Sequence, residues 1–300
     1  MTKKHDIIWL ESVDSTNLEA KRNISDIDNL SVLSALEQTA GRGQRGNTWT
    51  SNAGENLMFS IVLKFSPEDS GLGGLDARDQ FVLNEFAALS VVDFLRSHGI
   101  HAQIKWPNDI YAGSRKICGI LIENSLRGKW LSSSIIGIGL NINQRNFDVN
   151  LPNPTSMALC QTDLSCHSDS SQCHSERSDE SFDIRTCLEE FMDIFTSYYN
   201  RYLAAGGDFS SLRQQYLENL WRLDIQAEYI DYTSLPSGCH EGPMNISSSC
   251  SPGFPGQTAP AGRPFTGIIR GLSPIGLLIV EEMEKGELKE FAFKEIGYIL

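Results

Sequence analysis

No stretch of the sequence approaches the roughly 20 consecutive apolar residues that a membrane-spanning helix requires. The first apolar run, Ile7–Leu10, stops at Glu11. That is shorter than the apolar core of about 7–15 residues in a secretory signal, so a cytoplasmic protein is expected. Positive charge is scarce: 25 Lys and Arg face 38 Asp and Glu, a formal net charge of −13. A chain this acidic is poorly suited to non-specific nucleic-acid binding, which needs clustered cations. None of the seven cysteines forms a Cys-x-x-Cys pair. An odd count with no signal peptide points to reduced thiols, not to a disulfide framework. None of the six histidines stands in a motif that would activate Cys118 or a serine, so nucleophilic triad chemistry has little support. The three Cys-His dipeptides, at Cys166, Cys173 and Cys239, do not have structural zinc spacing. No metal ligands are assigned.

What is present reads as alternating strands and helices. Strands are expected at Ile7–Leu10, Ser31–Gln38, Leu57–Lys64, Ala102–Trp106, Lys116–Glu123 and Ser134–Ile142. The last two are nearly continuous apolar runs, as in strands covered on both faces. Asp14-Ser15-Thr16-Asn17 offers cap residues for a helix through Leu18–Arg22. Apolar spacing from Asp79 to His98 fits a helix that Gly99 ends. A second helical pattern spans Thr186–Ala204, closed by Gly206-Gly207, and a third Phe209–Arg222. The fold class is α+β, a mixed central sheet flanked by helices. We expect a catalytic domain over residues 1–222 and a small β domain over 223–300. In the latter, strands are expected at Leu223–Tyr232, Phe265–Leu272, Gly276–Glu282 and Leu288–Phe293. Each domain holds a low-complexity insertion. One lies at about 161–185, where Ser165–Ser181 contains seven serines. The other is the Ser-, Gly- and Pro-rich stretch at about 234–264.

Three segments bear chemistry. Gly41, Gly43 and Gly46 satisfy the dinucleotide-binding G-x-G-x-x-G pattern on paper, but Asn47–Asn56 leads into a strand, not the helix that such a site needs. Arg42 and Arg45 still put two guanidinium forks, suited to carboxylate or phosphate, in a glycine-rich loop. Taken alone, that loop reads more readily as a mobile surface hairpin with solvated arginines. In Lys105-Trp106-Pro107-Asn108-Asp109 a strand runs into proline and a polar turn. Lys116 opens the next apolar strand, where it either snorkels to water or stands as a fixed charge in a cleft. Gly119 within that strand marks a backbone that a ligand can approach.

These segments, with Asp14-Ser15-Thr16-Asn17, Gln38, Trp49 and Gly139-Leu140-Asn141-Ile142-Asn143, stand in an order and spacing that resembles the biotin–protein ligases. The resemblance spans residues 5–160 and extends more loosely over 186–232 and 265–300, where Phe291–Glu295 is similar to the family's C-terminal SH3-like domain. It implies a class II synthetase-like ligase fold. It also implies ATP-dependent biotinylation of one lysine on a biotin carboxyl carrier domain through biotinyl-5′-AMP. The alternatives are a lipoate or octanoate ligase of the same fold and a non-catalytic biotin-binding regulator. ATP with Mg²⁺ and biotin are then substrates, with no tightly bound prosthetic group. No DNA or membrane partner is implied, and a homodimer is among the expected assemblies.

Residue by residue, the resemblance assigns Lys116, Arg42 and Asp109 to catalysis. Ser15, Thr16, Asn17, Gln38, Arg42, Gly43, Gln44 and Lys116 are assigned to biotin. Trp49, Asn108, Asn141 and Lys116 are assigned to ATP. Gln44 stands where many relatives have arginine, one cation fewer over the intermediate. Three glycines also lead us to expect a loop that is poorly ordered until an anion arrives.

Overall fold

The computed structural model describes residues 6–65, 74–165, 181–204, 209–233 and 262–299; at 45, 163–165 and 204 only the backbone is described. Most of both expected low-complexity insertions lies outside the described residues. Their edges are regular: helix to Ser165, helix from Ile184 and strand from Arg263. The chain divides into two compact units at Asn219/Leu220, slightly before the expected 222/223.

In the first unit, strands β1 (Ile7–Val13), β2 (Val32–Gln38), β3 (Leu57–Lys64), β4 (Gln103–Lys105), β5 (Asp109–Ala112), β6 (Arg115–Arg127) and β7 (Trp130–Leu140) form one sheet. Its order is β1-β2-β3-β7-β6-β5-β4. Only β1 and β2 run parallel; every other pair is antiparallel. The helices are α1 (Thr16–Arg22), α2 (Phe81–Ser97), α3 (Met157–Ser165), α4 (Ile184–Tyr198) and α5 (Phe209–Glu218).

Side chains alternate across a strand with period two, and this decides where the core sits. Phe59 on β3 meets Phe191 of α4 with ring centroids 5.2 Å apart, and Phe86 of α2 meets Phe195 of α4 at 5.1 Å. Those helices therefore cover one face. On the other, α1 caps one end through Ala20, packed with Leu33, Val62 and Ile135. The rest of that face is lined by small residues: Ser60 pairs with Gly137, and Gly119 with Gly139. The expectation that β6 and β7 are covered on both faces is corrected here. One face packs on helices, and the other is the floor of a cleft.

Asn108-Asp109, read as a turn, leads into strand β5. Four residues beginning with an aspartate give too weak a pattern to register. Helix α3, nearly half of it polar, and a three-residue strand over Ile296–Tyr298 were missed because neither carries a strong enough pattern. The expected helix through Ala204 winds as a π-helix over Tyr199–Ala204.

The second unit is an antiparallel sheet in the order β11-β10-β9-β8-β12. Its strands are β8 (Gln226–Asp231), β9 (Arg263–Leu272), β10 (Leu278–Glu282), β11 (Glu287–Phe291) and β12 (Ile296–Tyr298). Tyr229, Phe265, Ile269, Val280 and Phe291 fill its core. Asp231 lies within 2.7 Å of Lys289 Nζ, and Glu282 within 2.8 Å of Arg263.

Candidate active site

The glycine-floored face opens as a cleft of about 460 Å³. Its walls come from the Ser15–Asn17 turn, Gln38, the Arg42–Gln44 loop with Trp49, Asn108, Lys116 and the β6–β7 floor. Ten of the expected site residues thus line one space: Ser15, Thr16, Asn17, Gln38, Arg42, Gly43, Gln44, Trp49, Asn108 and Lys116.

One end of the cleft is a chain of hydrogen bonds through amides and hydroxyls that ends on the Glu123 carboxylate. Gln38 Oε1 accepts from the Thr16 amide at 2.8 Å. Ser60 Oγ lies 2.7 Å from Thr16 Oγ1 and 2.6 Å from Asn17 Oδ1. Asn17 Nδ2 donates to Glu123 Oε2 at 2.9 Å and toward Leu121 O at 3.3 Å. The Asn17 amide lies directly on Gly137, where a Cβ would stand 2.3 Å from Oδ1. Only glycine allows that approach.

The other end is cationic. Lys116 Nζ sits 2.7 Å from Asp109 Oδ1 and 5.7 Å from the centre of the Trp49 ring. Burial disfavours the ammonium, but the Asp109 carboxylate outweighs it and holds the Lys116 pKa above the ordinary lysine value. Lys116 reaches this face through an irregularity. The β5–β6 register slips between Ile110, opposite Cys118, and Tyr111, opposite Lys116. Ile117 is the extra residue of a bulge, and it is fully buried. Strict alternation from Gly119 would point Lys116 away from the cleft; the bulge restores it. Its backbone is fastened by Lys116 N to Asn153 O and Thr155 N to Lys116 O.

The Asn108-Asp109 turn is held from both sides. Asn108 Nδ2 donates to Ile120 O at 2.7 Å, and the Ile120 amide donates back to Asn108 O. From behind, Asn84 Nδ2 and Tyr216 OH both donate to Pro107 O. Asp109 is outside the lining but fixed against Lys116. Asn141 is also outside: it is buried, and its Nδ2 donates to Thr155 O at 2.8 Å.

The Arg42 loop is a short hairpin. Gly43 N donates to Asn47 O, and Trp49 N to Gly41 O. The Trp49 ring, docked on the sheet floor, anchors one end: a Cβ at Gly139 would lie 2.4 Å from it, and one at Gly119 3.0 Å. Two polar atoms that line the cleft, Trp49 Nε1 and Gln44 Oε1, are buried with no hydrogen-bond partner among the described residues. An unsatisfied buried group costs about 1–3 kcal/mol, so both suit an occupant that supplies an acceptor and a donor. Ser60, Gly137 and Glu123 were not singled out from the sequence. The signal for Gly137 and Gly139 was their period-two spacing on an otherwise apolar strand.

The sheet carries helices on one face and, on the other, a small-residue cleft running from amides and hydroxyls to cations. Residues 9–141 match the model of the biotin/lipoate A/B protein ligase family. The chain is 36% identical over 136 residues to the biotin–[acetyl-CoA-carboxylase] ligase of Paracoccus denitrificans, covering 44% of this chain and 53% of that one. It is 31% identical over 203 residues to the bifunctional ligase/repressor BirA of Bacillus subtilis, covering 67% and 54%. The chain thus spans about half the length of these curated relatives. In three dimensions, the biotin protein ligase of Aquifex aeolicus, solved with biotin and ATP, matches with a TM-score of 0.66 at 22% identity, covering 97% of both chains. That likeness establishes the fold. No helix among the described residues is long and apolar enough to cross a membrane.

Proposed function

We propose that the chain is a biotin–protein ligase that couples biotin to a carrier lysine through biotinyl-5′-AMP at the expense of ATP. The observation that carries this reading is that a single cleft joins the Thr16–Asn17–Gln38 amide chain to the Lys116 and Arg42 cations. A cyclic urea has one carbonyl acceptor and two N–H donors, which amides and hydroxyls match. A carboxylate attacking an α-phosphate gathers negative charge between two anions, and fixed cations stabilise it there.

Ser15, Thr16, Asn17 and Gln38 hold the ureido ring. Lys116 and Arg42 face the reacting carboxylate and phosphate, and Gly43 and Gln44 close over them. Asp109 keeps Lys116 charged and stands where an incoming lysine amine can be oriented. Trp49 and Asn108 border the nucleotide; Asn141, buried outside the cleft with its Nδ2 on Thr155 O, does not. Mg²⁺ enters with ATP as part of the substrate. The acceptor is a biotin carboxyl carrier domain of a carboxylase, in the cytoplasm, with no DNA-binding role; a homodimer is compatible with this reading.

The family embraces lipoate ligases, so the test is ATP–pyrophosphate exchange with biotin, octanoate and lipoate offered separately. Exchange with biotin alone, followed by labelling of a carrier domain, is expected. Exchange driven by lipoate or octanoate, or by none of the three, overturns the reading.

A further inference from the structure

Glu123 is a charged residue on the cleft face of β6 to which no role has been given. Its side chain is 24% exposed, and its two oxygens face different partners. Oε2 accepts from Asn17 Nδ2 at 2.9 Å, while Oε1 lies 3.3 Å from Arg42 Nη1. Asn17 belongs to the amide end of the cleft and Arg42 to the loop over its cationic end. One carboxylate therefore touches both ends. We propose that Glu123 is a positioning residue with two tasks: it fixes the orientation of the Asn17 amide, and it holds Arg42 in reserve for the anionic substrate.

The first task follows from hydrogen-bond counting. The Asn17 side chain is pressed on Gly137 between a hydroxyl and two acceptors. Glu123 and Leu121 O accept only, so Nδ2 must face them and Oδ1 must face Ser60. Oδ1 can then take the Ser60 proton and keep a second lone pair for a ring N–H. Without Glu123, the amide loses the better of its two acceptors, Leu121 O at 3.3 Å being the weaker contact.

The second task follows from charge. Among the described residues, Glu123 is the carboxylate paired with Arg42, whose side chain is 44% exposed. A long, half-exposed pair of this kind is weak. A carboxylate or acyl phosphate arriving in the cleft can therefore take the guanidinium from Glu123. The pair is tight enough to aim the arginine and loose enough to give it up. Glu123 competes with the bound anion for Arg42, and so sets how fast the anion leaves.

This inference rests on the ligase reading, and the experiment separates the two. Wild type, Glu123→Ala and Glu123→Gln are compared in biotin-dependent pyrophosphate exchange, and biotinyl-AMP release is timed for each, with and without Arg42→Ala. Glu123→Ala is expected to raise KM for biotin tenfold or more, with the loss in KM, not kcat. Glu123→Gln keeps an oxygen for Asn17, so it should restore KM to within threefold of wild type. Having no charge to compete for Arg42, it should slow release threefold or more, and that slowing should vanish in the Arg42→Ala background. A merely structural role would move neither the KM rescue nor the Arg42-dependent release. If wild type exchanges but Glu123→Gln leaves release unchanged, or Glu123→Ala leaves KM unchanged, the Glu123 proposal is overturned and the ligase reading stands. If wild type exchanges with no acid, both fall.

Discussion

Lys116→Ala tests the cationic end of the cleft most directly. The ammonium is 2.7 Å from Asp109 and its side chain is 33% exposed. A dielectric typical of a surface pair therefore applies, not that of a dry interior. At an effective dielectric constant of about 20, a unit charge 4 Å from an anionic oxygen is worth about 4 kcal/mol. Removing one fixed donor from a developing oxyanion costs about 2.7–4 kcal/mol. The two routes agree, and the expected loss in adenylation is 10²- to 10³-fold. The assay is the rate of biotin-dependent pyrophosphate exchange at saturating substrates. Deleting Lys116 also strips Asp109 of its partner, so Lys116→Ala/Asp109→Asn is run beside it; the double variant should be no more active than the single. Asp109→Asn alone carries a pH signature. Asp109 is what holds the Lys116 pKa above the ordinary value against burial. Removing it leaves burial, which favours the neutral amine, so the alkaline limb of activity should move to lower pH. Exchange by Lys116→Ala within threefold of wild type would refute the electrostatic role. An alkaline limb unmoved in Asp109→Asn would refute the coupling.

Gly139→Ala places a methyl where the Trp49 ring lies, 2.4 Å from its nearest atom. It should cost about 1–3 kcal/mol in a urea melt, as overpacking does, and raise KM for ATP about tenfold; a normal KM would separate Trp49 from the nucleotide. In the Arg42 loop, Gln44→Arg should slow release of preformed biotinyl-AMP, and Arg42→Gly should speed it and label bystander lysines. Identical release rates in both variants would remove the loop from retention. In the second unit, burial opposes ionisation of Asp231, but Lys289 and Thr233 overcome it and hold its pKa at about 2. A depressed carboxylate stabilises the fold above its unfolded pKa and loses that contribution as pH falls through the folded value. Asp231→Asn should therefore cost about 2 kcal/mol at neutral pH, less in high salt, and the difference should close between about pH 4 and pH 2 in thermal melts. A pH-independent difference would show that the residue acts through packing.

The residues of the candidate site were legible because they sit in local punctuation that composition cannot hide. A capping Asp-Ser-Thr-Asn, a glycine–arginine loop leading into a strand, and a strand stopped by proline before Asn-Asp each announce a break where backbone and side chains are free for chemistry. The long elements were legible for a related reason: Leu57–Lys64 and the helix around Phe86 have strong apolar patterns. Elements as short as β5 and β12, four and three residues, are too brief to show a pattern, and their pairing comes from neighbouring strands.

What only the tertiary structure decided is which way side chains face and what they meet. By alternation Lys116 belongs on the helix-covered side; a one-residue bulge at Ile117 returns it to the cleft. Gly137 and Gly139 look like weak points in a strand until Asn17 and Trp49 are found lying on them. Glu123 reads as the polar end of an apolar run, yet it joins Asn17 and Arg42, which are 106 and 81 residues away in the chain. Local propensity and order of motifs are written along the chain. Register, face and long-range partners depend on how strands pair, and one residue of slip reverses them.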